Sequence, residues 1–79
     1  MEYLICGPGD TAQDAEKISA GSTTAAIREW CEARQRRDPQ FASFIDGREV
    51  TVSGLWDTSR FVVSVIVADP IFESKEVGK

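Results

Sequence analysis

Between Arg48 and Ala68 two β-type runs are joined by a short turn. In the first, Arg48-Glu49-Val50-Thr51-Val52-Ser53, apolar and polar residues alternate, and a period of two places Val50 and Val52 on one face of a sheet. After Gly54 to Ser59 comes Arg60 to Ala68, with Phe61, Val63, Val65 and Val67 on one face and Val62, Ser64 and Ile66 on the other. Apolar residues on both faces predict a strand with neighbours on either side. Asp69-Pro70 then breaks the ladder, because proline has no amide hydrogen to donate.

Upstream, Glu2-Tyr3-Leu4-Ile5-Cys6 reads as a short strand stopped by the turn Gly7-Pro8-Gly9. Asp10 or Thr11 is then placed to cap a short helix, since Thr11-Ala12-Gln13-Asp14 sets a carboxylate three residues after a hydroxyl. Ala12, Ala15 and Ile18 would face inward, and Gly21 would end that helix in the left-handed conformation. A stronger helix is predicted from Ser22 to Thr24 through Arg37, with Ile27, Trp30 and Cys31 spaced along one face. Arg34, Arg36 and Arg37 complement the negative end of its dipole, and Asp38-Pro39 stops it. Phe41 to Ile45 reads equally as a packed loop or a short strand, Asp46-Gly47 is a turn, and Ile71 to Val77 adds an edge strand before a frayed Gly78-Lys79.

This order predicts an α+β fold, a small antiparallel sheet in the order β-α-(α)-β-β with helices on one face. The amino-terminal strand is expected beside the Phe61 strand in the middle. The other sheet face is left partly open, so Val62 and Ile66 mark either a partner surface or the plain outer face of a small sheet. At 79 residues the chain is expected to be one domain, 1–79, with a small core. A hydrophobic content of 42% and a charged content of 28% fit an ordinary globular protein rather than a disordered one. The longest apolar run falls far short of the roughly 20 residues that span a bilayer, and Met1-Glu2-Tyr3 lacks a basic start, so a cytoplasmic protein with no membrane partner is expected. Cys6 and Cys31 show no metal-ligand spacing and read as buried, reduced thiols.

The candidate chemistry narrows by subtraction. With no histidine there is no ordinary Ser-His or Cys-His nucleophile pair and no imidazole ligand for a metal. Gly7-Pro8-Gly9-Asp10-Thr11 lacks the spacing and the Lys-Ser or Lys-Thr of a phosphate-cradling loop. The expectation is therefore no enzyme, no cofactor and no metal. Thirteen acidic against nine basic residues give a net charge of −4, and the first 16 residues carry Glu2, Asp10, Asp14 and Glu16 with no base. Direct nucleic-acid binding, which needs Lys and Arg against phosphates, is disfavoured. An acidic protein of this size can instead dock into a basic groove of another protein, its carboxylates standing where phosphates would, though a charge of −4 is too ordinary to prove it.

The combination of Glu2-Tyr3-Leu4-Ile5, the Trp-bearing helix segment Ile27 to Arg34, and Arg48 to Val52 followed by Phe61 to Val65 resembles, in layout, the small stand-alone proteins of phages and prophages, among them the anti-CRISPR proteins. The resemblance spans nearly the whole chain but carries no shared motif, so no residue role transfers from it. It implies a non-catalytic inhibitor that binds a type I CRISPR effector, the type I-C Cascade complex among the options, and keeps target DNA from its basic channel. On that reading the candidate partner-binding residues are the acidic positions Asp10, Asp14, Glu16, Glu29 and Glu32, for which a merely solubilising role is the alternative. Trp56, next to Leu55 in the turn, either caps the core or anchors a partner. Two other classes stay open: a regulatory or antitoxin-like module that binds another protein or forms a homodimer through the open sheet face, and a phage structural accessory protein.

Overall fold

In a computed structural model, residues 1–54, 58–66 and 71–77 are described, with Ala12 described in its backbone alone. Five antiparallel strands, β1 (Glu2–Cys6), β2 (Glu16–Ser19), β3 (Glu49–Ser53), β4 (Thr58–Ile66) and β5 (Ile71–Glu76), form one sheet in the order β2-β1-β3-β4-β5. Two helices, α1 (Thr23–Arg37) and α2 (Phe41–Ile45), complete the α+β fold.

The pattern of alternation sets which side chains meet the helices. Tyr3 and Ile5 of β1, Val50 and Val52 of β3, Phe61 and Val63 of β4 and Phe72 of β5 are buried on one face. Against them pack Ala26, Ile27, Trp30 and Cys31 from α1 and Phe41 and Ile45 from α2. Trp30 is fully buried and meets Phe41 edge-on at 5.6 Å, while Phe41 reaches Phe72 at 6.3 Å. Ser22 caps α1, its side chain accepting from the Ala25 N–H at 3.2 Å, and the Asp38 N–H closes the other end on the Arg34 carbonyl at 2.9 Å.

Several expectations are corrected. The region after Thr11 is a single 3-10 turn (Ala12–Asp14) followed by β2, not a helix. The predicted capping contact does form, with Thr11 N–H and hydroxyl both donating to Asp14 Oδ2 at 3.2 and 3.0 Å. The turn goes no further because Glu16–Ser19 gains a full ladder with β1, in which Ile18 lies opposite Tyr3. Ile18 thus reaches the core from a strand, and Gly21 is not left-handed; Gly9 and Gly47 are. Phe41 to Ile45 is a helix, since Phe41 and Ile45, four apart, then both point into the core. It ends on Asp46-Gly47, where the positive φ of Gly47 suits the left-handed cap.

The amino-terminal strand pairs with β2 and β3, not with β4; β4 lies between β3 and β5. It begins at Thr58, two residues earlier than expected, and Val67, Ala68 and Asp69-Pro70 lie outside the described residues, as do Leu55, Trp56, Asp57 and Gly78-Lys79. The edge strand β5 forms as expected. Cys31 is buried, but Cys6 is only half-buried, because its place opposite Thr51 puts it on the outer face of the sheet; both are free thiols. Among the described residues no helix is long and apolar enough to cross a membrane.

Candidate functional site

Where the first residues after β1 pass the carboxyl end of α1, three of the five acidic candidates come together. Pro8 followed by Gly9 at φ +79° turns the chain, and the Asp10 N–H closes the turn on the Gly7 carbonyl at 3.1 Å. The Asp10 carboxylate then accepts from the Gly7 N–H at 2.9 Å, so its position is set by the turn itself. Gly7 is pressed against the core: a Cβ there would lie 2.8 Å from Cη2 of Trp30. Asp14 is held by Thr11, and Glu16 opens β2 on the helix-facing side of the sheet.

Opposite them stand Arg34 and Arg37. Arg34 Nη2 lies 3.3 Å from Asp10 Oδ2 and 3.3 Å from Glu16 Oε1, and Arg37 Nη2 lies 3.2 Å from the same Glu16 oxygen. The Arg34 guanidinium also sits 4.8 Å from the Trp30 ring centroid, a cation–π contact that fixes its plane over the core. Arg34, Asp10 and Glu16 are each at most about a third exposed, 28%, 21% and 31% by side chain, whereas Arg37 is 66% exposed. Trp30 Nε1 and Arg34 Nε are buried without a hydrogen-bond partner among the described residues.

Around these pairs opens a hollow of about 590 Å³, lined by the carboxylates of Asp10, Asp14, Glu16 and Asp38, by the two arginines and by Phe41. Four carboxylates against two guanidinium groups leave it acidic, and Asp10, Glu16, Arg34 and Arg37 are held in place by their mutual contacts. Such an arrangement suits a cationic group supplied from outside. Among the described residues no group of three or more histidine, cysteine or carboxylate side chains is arranged to hold a metal ion.

Glu29 and Glu32 lie elsewhere, exposed on α1, and do not line the hollow. Trp56 lies outside the described residues. Sequence reasoning assigned Arg34 and Arg37 to the helix dipole and missed their role as partners of Asp10 and Glu16. The signal was present in their spacing: they follow Trp30 by four and seven residues, and so share its inward-facing stripe, whereas Arg36 does not.

The other ionisable feature is in the core. Burial pushes the Cys31 thiol up from its ordinary 9.0 to about 12, with the Glu32 carboxylate adding to the rise and Arg34 opposing it. With no exposed surface, this side chain packs in the core as a protonated thiol. Comparison of the chain with protein-family models, with curated proteins and with solved structures gave no match in any of the three.

Proposed function

We propose that this chain is a non-enzymatic, protein-binding inhibitor, and in particular a phage protein of the anti-CRISPR kind that binds a type I Cascade effector and keeps target DNA from its basic channel. The observation that carries the reading is the acidic hollow at the end of α1, where Asp10, Asp14, Glu16 and Asp38 surround only two arginines. A lysine or arginine from a DNA-binding channel would enter it and meet preset carboxylates. Asp10 and Glu16 are already shared with Arg34 and Arg37, so Asp14 and Asp38 supply the charge available to a partner. Glu29 and Glu32 offer a second acidic pair on the exposed side of the same helix.

A second reading, a regulatory or antitoxin-like module or a structural accessory protein, draws on the outer sheet face, where Leu4, Ile66 and Ile71 are 44%, 51% and 49% exposed. The test is capture of effector subunits by the tagged chain from cells carrying a type I effector, followed by DNA binding of that effector with and without the chain. Capture with loss of DNA binding is expected, as is recovery of DNA binding when Asp14→Lys and Asp38→Lys are combined in a folded variant. Failure to capture any subunit, or undiminished inhibition by that variant and by one reversed at Glu29 and Glu32, overturns the acidic-inhibitor reading.

A further inference from the structure

β5 is the last strand of the sheet, with β4 as its only strand neighbour among the described residues. Val77 donates its N–H to the Arg60 carbonyl of β4 at 2.9 Å. Successive residues of a strand turn their backbone groups to opposite sides, so Glu73 and Lys75 turn theirs toward β4, and Phe72 and Ser74 turn theirs away from the sheet. Nothing among the described residues hydrogen-bonds to that side of Phe72 or Ser74. An open hollow of about 390 Å³, lined by Ser22, Thr24 and Arg28 of the α1 end and by Phe72, Glu73 and Ser74, lies beside this strand.

The side chains add a register. Glu73 and Lys75 are exposed neighbours on the outer face, and neither has an ionic partner among the described residues. When two antiparallel β5 strands meet, outward-turned residues must face outward-turned residues. A two-fold axis at Ser74 satisfies this and sets Glu73 of each copy opposite Lys75 of the other, in the closer, non-hydrogen-bonded type of pair. Moving the axis to Glu73 or to Lys75 would set like charges face to face. The other edge offers no such match. The Ala20 N–H donates to the Met1 carbonyl at 3.0 Å, so β2 turns only Lys17 and Ser19 outward, and pairing there sets Lys17 against Ser19 or against itself.

We propose that this protein forms a two-fold dimer by antiparallel pairing of β5 with β5, centred on Ser74, joining two sheets into one. The test is sedimentation equilibrium of the full chain from micromolar to millimolar concentration. The wild type is expected to dimerise reversibly. Glu73→Lys alone, or Lys75→Glu alone, is expected to weaken self-association roughly tenfold or more, each setting like charges opposite each other twice. An equimolar mixture of the two reversed chains is expected to form a heterodimer of wild-type affinity, because every facing pair is again of opposite sign. Ser74→Pro, which removes an outward N–H while sparing the β4 ladder, is expected to be a folded monomer. A wild type that stays monomeric throughout, single reversals that associate like the wild type, or folded reversed chains that fail to pair in the mixture would each overturn the proposal.

Discussion

The two flanks of the sheet are fastened to α1 by different forces. On the β1–β2 side the fastening adds ion pairs to the packing of Tyr3, Ile5 and Ile18: Asp10 and Glu16 grip Arg34 and Arg37 at 3.2 to 3.3 Å in a partly solvated hollow. On the β4–β5 side it is apolar, a chain of aromatic contacts running from Trp30 through Phe41 to Phe72. Exposed ion pairs are individually worth little, whereas a buried aromatic removes large apolar areas from water. The fold should therefore depend on its apolar contacts, and the ion pairs of the β1–β2 flank should be free to serve recognition.

Trp30→Ala attacks the point where the two flanks meet. Trp30 is fully buried, packs on Phe41 and lies beneath Arg34, so its removal should cost about 3–5 kcal/mol. In a domain this small that is a large share of the total stability. Urea unfolding followed by far-UV circular dichroism should find the variant largely unfolded; a midpoint near that of the wild type would mean that the aromatic chain is not what holds the helix.

High pH loads the apolar core through Cys31. In the folded chain Cys31 ionises near 12, against 9.0 for an ordinary thiol. The raised value means that this contribution to stability is fully present below about 9 and is lost as pH rises toward about 12, with a slope approaching 1.4 kcal/mol per pH unit. Denaturation curves from pH 8 to 11 should show the decline in the wild type and a flatter profile in Cys31→Ala; parallel profiles would assign the alkaline loss to other groups.

Gly7→Ala sharpens the comparison from the ionic side. The added methyl would press to 2.8 Å of the Trp30 ring, and the turn that aims Asp10 would have to shift. A loss of about 1–3 kcal/mol is expected, most of it absent in a Trp30→Phe background, where a double-mutant cycle reads the coupling.

These contrasts also explain what the sequence disclosed. Alternation and helical spacing exposed β1, β3, β4, β5 and α1, because each is long enough for a period to repeat. β2 and α2 are four and five residues long, and their form is decided by what they meet: Ile18 by the ladder with β1, Phe41 and Ile45 by the core beneath them. Strand order was hidden for a similar reason. The apolar pattern of Phe61 to Ile66 marks an interior strand without saying which strands flank it, and the neighbours proved to be β3 and β5. At the candidate site the acidic members Asp10, Asp14 and Glu16 were legible as unpaired charge in the first 16 residues. The arginine partners of Asp10 and Glu16 lie 18 to 24 positions away, and the β1–β2 hairpin brings them within reach.

The smallest expected effect separates the two arginines. Arg34 is 28% exposed, bridges Asp10 and Glu16 and stacks on Trp30; Arg37 is 66% exposed and, among the described residues, pairs with Glu16 alone. Arg34→Ala should cost about 1–2 kcal/mol, much of it from the lost stacking. Arg37→Ala should cost no more than about 0.5 kcal/mol. Salt divides the two parts: at 1 M the screening length shrinks to about 3 Å, which should erase the Arg37 effect and leave the stacking part of the Arg34 effect. Thermal melts of both variants at low and high salt make the measurement. If the Arg34 penalty vanished with that of Arg37, the contact with Trp30 would contribute nothing, and the hollow would be held by charge alone. If it persists, Arg34 belongs to the core as much as to the site. Removing Arg37 would then leave the hollow more acidic and still folded, the form in which a basic partner should bind more tightly than it does to the wild type.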